Sequence, residues 1–355
     1  MTDQATQTRL GVAAMLVPVF FAIAFAACII GSYHKPDPHN IKVAVVGPAA
    51  ETAKLRARMQ NAAGSAFAIS PEASIAQATA AVRDRDVNAA FVPTANPRKP
   101  ASIIVASANG RIVATAAESL ARAATTAQGA QLAVREVRPL APGDEIGLGV
   151  FMFLLVCTIC GYLAPTILET IAPALRPARR YAIIAGTAVL VPTLVYLIGG
   201  LGYGTYKGSF GTILAFIGVA ALYMFTLGAG TRLLQAVLGP PAIFVSLAIL
   251  VFLNIASLGA TYTPPVMAPL WQFLNHFWIG AQAVDAQRSI LYFGGDGVGA
   301  DLLKLLAWTA VIVALLLLPA SRRLERQREV ADAQPHGLGS PDDPGSRGRE
   351  APLAA

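Results

Sequence analysis

Six long apolar stretches decide what this chain can fold into. They cover residues 10–32, 147–167, 182–202, 209–229, 241–260 and 302–320. A helix needs about 20 consecutive apolar residues to cross a hydrocarbon layer of roughly 30 Å, and each stretch is long enough. The pattern predicts an α-helical polytopic membrane protein with six transmembrane helices, surrounded by membrane lipids.

The low charge content of the chain indicates the same class of protein. Charged residues make up 13% of the sequence, whereas a soluble domain contains about 25%. The formal net charge is +7, but most of the arginines lie in short segments beside apolar stretches, where they act as topology signals. We therefore expect no nucleic-acid partner.

The first apolar stretch has two interpretations. Its residues 25–28, FAAC, resemble a lipoprotein cleavage box, and Arg9 precedes the stretch, as in a signal peptide. The stretch is, however, longer than the roughly 7–15 residues of a signal core, and it continues past the cysteine through Ile29 and Ile30. We favour an uncleaved anchor and keep the cleaved signal as the alternative.

Basic residues in the short segments predict the orientation, because cytosolic loops carry an excess of Lys and Arg. One side of the membrane holds nine of them: Arg9, Arg176, Arg179, Arg180, Arg232, Arg322, Arg323, Arg326 and Arg328. The other side, counted over the last five stretches, holds Lys207, Arg288 and Lys304. This bias predicts a multi-pass protein of the plasma (inner) membrane with both termini in the cytosol.

These features divide the chain into four parts. The first part is a cytosolic N-terminus with the first transmembrane helix (1–32), and the second is an inserted extracytoplasmic α/β domain (33–145). A five-helix transmembrane bundle (146–320) and a cytosolic tail (321–355) follow. The tail is rich in Pro, Gly and Asp without apolar periodicity, which is typical of disorder.

The α/β domain is predicted from alternating β-branched runs and helix-favouring segments. Strands are expected at 41–47, 67–70, 88–94, 101–108 and 133–140, and helices at 51–62, 74–87 and 112–132. Such alternation is typical of βαβ units and a mostly parallel sheet. The domain has no cysteine, so its core must hold it together without disulfides.

No arrangement of residues indicates catalysis or a bound cofactor. The segment GPAAETAK (47–54) lacks the second glycine and the hydroxyl residue of a phosphate-binding loop. Cys157 and Cys160 form a CxxC pair inside an apolar stretch, where packing on one helix face is the favoured interpretation over redox or metal chemistry. The four histidines are scattered. We therefore expect no enzyme activity, cofactor or metal.

Polar residues inside apolar stretches point to function, because each is costly in lipid. Asn254 lies within the fifth stretch. Glu169 and Lys304 lie near the ends of their stretches, where long side chains can reach the interface. No series of acidic residues suited to a proton relay is present in the six stretches.

The segment from 261 to 300, between the last two apolar stretches, combines prolines, aromatic residues and polar residues. The residues that characterise it are Pro264, Pro265, Trp271, Phe277, Trp278 and Arg288. This pattern favours two short helices that dip into the outer leaflet without crossing, with tryptophans at headgroup depth. A lid over the bundle and a part of a substrate exit path are both compatible with it.

The order of these parts resembles the ABC-2-type permease superfamily, closest to the branch of phage-infection-protein (YhgE/Pip)-like actinobacterial membrane proteins. The likeness is carried by IKVAVVG (41–47), VRDRDVNAAFVP (82–93), the entry into the second stretch (137–163) and PLWQFLNHFWIGAQAVDAQRSILYFGG (269–295). The resemblance implies a permease homodimer that exports a hydrophobic or amphipathic substrate, with a separate ATPase supplying the energy.

The short basic loop 169–181 is the candidate contact for that ATPase, through Arg176, Arg179 and Arg180. A second hypothesis is a non-transporting scaffold or receptor, in which the bundle is an anchor and the extracytoplasmic domain binds an envelope component.

Overall fold

The structure, a computed structural model, describes residues 15–16, 18–94, 96, 98–126 and 129–318. Within them the chain is mostly helical, with a small mixed sheet and four helices that are long and apolar enough to span a membrane. Arg9, the basic residues after 320 and the predicted tail lie outside the described residues. The first element is helix α1 (Pro18–Tyr33), which leads into the α/β domain.

The α/β domain contains five strands and three helices. In chain order these are β1 (Ile41–Val46), α2 (Ala49–Ala63), β2 (Phe67–Glu72), α3 (Ile75–Arg83), β3 (Ala89–Val92), β4 (Ala101–Val105), α4 (Arg111–Thr126) and β5 (Leu132–Glu136). The helix predicted to reach 132 ends earlier, before Gly129 turns the chain with a φ of +68°. Ser74 caps α3, because its hydroxyl accepts a hydrogen bond from the Gln77 N–H at 3.2 Å.

The strands are ordered β2-β1-β3-β4-β5. Three of the four strand pairs are parallel, and β3 with β4 is antiparallel. The chain between β3 and β4, residues 93–100, is too short for the crossover of about a dozen residues that a parallel pair requires. This short connection makes the sheet mixed.

Each face of the sheet has its own core. Helices α2 and α4 cover one face, where Met59, Ala117 and the fully buried Phe91 meet. Helix α3 covers the other face, where Val82 packs with Ile104. Strand β5 is the exception, because nearly all of its residues are exposed.

The remaining helices form the bundle. They are α5 (Gly149–Ile171), α6 (Pro177–Gly202), α7 (Phe210–Leu238), α8 (Ala242–Ala256), α9 (Pro269–Asn275), α10 (Ile279–Tyr292) and α11 (Val298–Leu317). Helix α7 is central and packs against α5, α6, α10 and α11. Glycines allow this close packing, since a Cβ on Gly228 would meet the Ile184 Cγ2 atom at 2.8 Å.

Four of the six predicted spans correspond to the long apolar helices α5, α6, α7 and α11. The other two correspond to shorter apolar helices, α1 and α8. Helix α8 ends at Ala256 instead of near 260, because the chain leaves the helix and turns at Gly259, where φ is +73°. Apolar length alone therefore overestimates how far this helix extends.

The α/β domain is joined to the bundle through residues 261–267. Val266 is fully buried in the sheet core with Phe91, although it belongs to the chain that follows α8. The backbone N–H groups of Asp37 and His39 donate to the carbonyl oxygens of Val266 and Pro265, at 3.0 and 2.9 Å. The domain and the bundle thus share part of one core.

We expect Val266→Ala to destabilise the whole chain by about 1–3 kcal/mol, since it removes two methyl groups from a filled core and leaves a cavity. Thermal unfolding of the full chain in detergent measures the effect. Val134→Ala on β5 is the matched control, because Val134 is 43% exposed and should change the midpoint little. Equal midpoints for the two variants would contradict the shared core.

Candidate functional site

The candidate site is centred on a helical hairpin, α9 and α10, which turns halfway through the bundle. The turn residues pack on Trp308: its Nε1 donates to the Phe277 carbonyl oxygen at 2.7 Å, and its ring lies 5.8 Å from that of Trp278. Trp308 is about 15 Å along α11, at 1.5 Å per residue. Residues 261–295 therefore enter from the domain side, reverse at mid-length and return, and we term them the half-depth hairpin.

A chain of buried polar groups holds the tip of the hairpin. The Asn254 amide donates to the Tyr223 hydroxyl at 2.6 Å, and that hydroxyl in turn contacts the Thr158 hydroxyl. The Asn254 Oδ1 atom accepts from the Gly280 N–H at 2.9 Å. Gly280 lies in the first turn of α10, where N–H groups have no partner within the helix. Asn254, predicted from the sequence as a costly intramembrane residue, acts as a cap for α10.

Close packing at this cap requires glycine at position 280. A Cβ atom there would lie 2.6 Å from both the Asn254 Oδ1 atom and the Leu258 Cδ2 atom. The other broken helix end is satisfied in a similar way, since the Asn275 amide donates to the Ser257 carbonyl oxygen at 2.9 Å. Polar side chains thus replace the backbone hydrogen bonds that are lost where α8 and α10 begin or end inside the bundle.

Arg288 is the buried charge of the hairpin, with 6% of its surface exposed. Its Nη2 atom donates to the Ala260 carbonyl oxygen at 2.7 Å, and its Nη1 atom lies 3.6 Å from the Asp285 Oδ1 atom. Arg288 lines two spaces between the α/β domain and the bundle, a cavity of about 80 Å³ and a more open cleft of about 360 Å³. We term the larger space the domain–bundle cleft.

Asp144 stabilises the start of α5 beside the smaller cavity. Its Oδ1 atom accepts from the Gly149 N–H at 2.9 Å, in the position that favours an anion at a helix N-terminus. Burial raises the pKa of the Asp144 carboxyl, while backbone N–H donors and Arg288 act in the opposite direction. Burial also raises the pKa of Tyr292 to about 12, so this residue presents a neutral hydroxyl to the cavity.

Arg85 connects the α/β domain to the end of α10. It lies in the turn after α3 with a φ of +66°. Its Nη2 atom donates to the Ser289 hydroxyl at 2.7 Å and to the Asp296 carbonyl oxygen at 2.8 Å, and its guanidinium lies 4.7 Å from the centre of the buried Phe293 ring. Arg138 approaches the same ring at 5.8 Å. These cation–π contacts add to the hydrogen bonds.

The far end of the bundle, away from the α/β domain, carries a second charged cluster. Arg180 and Arg232 are both buried, and both donate to the Glu169 Oε2 atom, with 2.8 Å between Arg180 Nη1 and that oxygen. Arg180 also donates to the Pro173 carbonyl oxygen. Arg176 and Arg179 are exposed at the start of α6. The structure therefore separates the three arginines predicted as one contact surface, since Arg180 is a packing residue here.

The residues predicted for the 261–300 segment have different surroundings. Pro264 and Pro265 line the domain–bundle cleft with Arg288. Trp271 is buried against Met267 and the end of α8, whereas Phe277 is partly exposed at the tip. Sequence reasoning did not select Arg85, Asp144, Asp285, Thr158 or Tyr223. Only the spacing of Asp285 and Arg288, one helical turn apart, gave a sequence signal for one of them.

Within the described residues, no group of three or more His, Cys, Asp or Glu side chains is placed to hold a metal ion. Cys157 and Cys160 are free thiols on α5, and Cys157 is fully buried in the bundle core.

We expect Asn254→Leu to destabilise the full chain by about 2–5 kcal/mol, because it leaves the Gly280 N–H unsatisfied and removes a partner of the Tyr223 hydroxyl. Ser246→Ala on the same helix is the control: Ser246 is equally buried, and its hydroxyl has no hydrogen-bond partner in the described part of the chain. Thermal unfolding in detergent should show a lower midpoint for Asn254→Leu alone. A similar loss in both variants would contradict the capping role.

No protein-family model, curated protein or solved structure matches this chain. What the chain does must therefore be inferred from its own residues and contacts.

Proposed function

We propose that this chain is the membrane permease subunit of an ABC-2-type exporter. Two copies form the path for a hydrophobic or amphipathic substrate, and a separate cytosolic ATPase supplies the energy. In this proposal α1 and α8 join the four long helices as membrane spans, which gives six. The chain lies in the plasma membrane with both termini in the cytosol, and the α/β domain is extracytoplasmic.

The half-depth hairpin is the observation that carries the proposal. Backbone that is broken at membrane depth is tolerated only where it is buried in protein or lines a water-filled space. Here the break is supported by Asn254, Tyr223 and Thr158, all buried, and polar residues inside a membrane bundle are a reason to look for a function there. A helix pair that only anchors a domain has no need for such a break.

Helix α8 alone is shorter than a membrane span, and in this proposal the chain that follows it makes up the difference. Its 15 residues extend about 22 Å, less than the roughly 30 Å hydrocarbon layer. Residues 257–260 continue toward the α/β domain beside the half-depth hairpin, and the Arg288 guanidinium donates to the Ala260 carbonyl oxygen. The hairpin and the end of α8 together occupy the depth that α8 alone does not fill.

The far-end cluster provides a route from an ATPase to the bundle. Arg176 and Arg179 are exposed and available to a partner. The buried Arg180 lies four residues after Arg176. It pairs with the Glu169 carboxylate, which also pairs with Arg232 of the central helix α7. A force on the exposed arginines is therefore transmitted to α7 through a charged contact.

The scaffold or receptor hypothesis is favoured by one specific feature, the fixed joint between the α/β domain and the bundle. Two contacts hold the domain: Val266 packs in the sheet core, and Arg85 of the domain donates a hydrogen bond to Ser289 of α10. A fixed joint suits a domain that presents a binding surface above the membrane.

Purification of the tagged full-length chain from its own host, followed by mass spectrometry, distinguishes the two. For a permease, an ATPase is expected in stoichiometric amount, and Arg176→Glu with Arg179→Glu should reduce its recovery at least tenfold by charge reversal. Arg58→Glu, an exposed arginine on α2, is the control and should keep the partner. Recovery of envelope proteins without an ATPase would contradict the permease and support the scaffold.

A further inference from the structure

The domain–bundle cleft has the size and the polar lining of a small-molecule site. Its volume of about 360 Å³ falls in the range of roughly 300–1,000 Å³ that is typical of ligand pockets. The α/β domain provides Arg85, Asn88 and Asn109, and the chain that enters the half-depth hairpin provides residues 263–265. Helix α10 provides Asp285 and Arg288, and α11 provides Asp301.

Several polar groups of the wall have unused hydrogen-bonding capacity. The buried Arg288 guanidinium has five N–H donors but makes one hydrogen bond within the described residues, to the Ala260 carbonyl oxygen. The Asn109 amide and the Thr263 hydroxyl make none there, although Thr263 is only 4% exposed. These donors face an open cleft, where either water or a ligand with acceptor oxygens can satisfy them.

The carboxylates of the cleft are also incompletely paired. Asp285 lies 3.6 Å from the Arg288 Nη1 atom, beyond hydrogen-bonding distance, and Asp301 has no ion pair in the described part of the chain. The wall thus offers two carboxylates as well as two guanidinium groups.

This mixture of charges disfavours a ligand of one sign. A simple anion on Arg288 would face repulsion from Asp285 and Asp301, and a simple cation would face repulsion from Arg85 and Arg288. A ligand with both charges close together satisfies both sets of groups, because charge-assisted hydrogen bonds form at each end.

We propose that the domain–bundle cleft binds a small zwitterion of the phosphoethanolamine type. Its phosphate oxygens accept from Arg288, Asn109 and Thr263, and its ammonium group donates to Asp285 and Asp301. The ligand contacts the α/β domain, α10 and α11 at once, so binding stabilises their joint. The site does not depend on transport, since a scaffold would carry it equally. The ligand is either a free solute or the headgroup of a zwitterionic lipid.

Calorimetric titration of the purified full-length chain in detergent tests the site with three probes: phosphoethanolamine, ethanolamine and inorganic phosphate. We expect saturable binding of phosphoethanolamine, at least tenfold tighter than either fragment. Nanodiscs of phosphatidylethanolamine and of phosphatidylglycerol test the lipid source. A higher unfolding midpoint in the former, without binding of the soluble probe, assigns the site to a lipid headgroup.

Three variants separate ligand binding from stability. Asn109→Ala removes a side chain with no hydrogen bond to the rest of the described chain, and should weaken phosphoethanolamine binding several-fold without changing the unfolding midpoint. Asp285→Asn with Asp301→Asn should reverse the preference, so that inorganic phosphate binds at least as tightly as phosphoethanolamine. Glu51→Gln, an exposed acidic residue on α2, is the control and should bind as the unmodified chain does.

The proposal is overturned if neither the soluble probe nor the ethanolamine lipid has an effect. It is also overturned if inorganic phosphate binds the unmodified chain as tightly as phosphoethanolamine, which would indicate a simple anion site. If Asn109→Ala and Glu51→Gln weakened phosphoethanolamine binding equally, the ligand would bind at a site other than this cleft.

Discussion

Backbone hydrogen bonding inside an apolar bundle is the constraint on which the rest of this structure depends. A helix that crosses the bundle satisfies its own N–H and C=O groups, but a helix that begins or ends within it does not. Here α10 begins at mid-length, and α8 ends before it reaches the α/β domain. The Asn254 side chain accepts from the Gly280 N–H, and the Asn275 side chain donates to the Ser257 carbonyl oxygen. These two amides make the half-depth hairpin possible.

Because its tip is fixed, α10 becomes a link between the bundle core and the α/β domain. Its first turn is held by Asn254, its middle by the Gln287 amide on the Phe216 carbonyl oxygen, and its last turn by Arg85. The chain entering the hairpin also contributes Val266 to the sheet core. Helix α10 therefore contacts the bundle core at its start and the α/β domain at its end, whichever of the two functional hypotheses holds.

Local patterns predicted much of the fold. The β-branched runs predicted every strand of the sheet, and the helix predicted at 74–87 corresponds to α3. The early end of α8 was not predictable, because residues 257–260 are apolar or small and only the distant Asn275 reveals the break. Arg85 was also missed, since an arginine in a charged turn is expected to be solvated, and its partner Ser289 is 204 residues away. Asn254 was selected from the sequence, but its capping role depends on a glycine 26 residues later.

The central helix α7 makes contacts at both ends of the bundle, and at the far end these contacts involve the far-end cluster. Burying the guanidinium groups of Arg180 and Arg232 is costly in free energy unless each is paired. Removal of the carboxylate that they share would therefore destabilise both buried charges. Glu169 is therefore the residue on which this end depends, and it is 43% exposed. Glu169 of α5 therefore joins α7 to α6, since Arg232 belongs to α7 and Arg180 to α6. At its other end α7 accepts a hydrogen bond from the Gln287 amide of α10 through the Phe216 carbonyl oxygen, so one helix contacts both the far-end cluster and the half-depth hairpin.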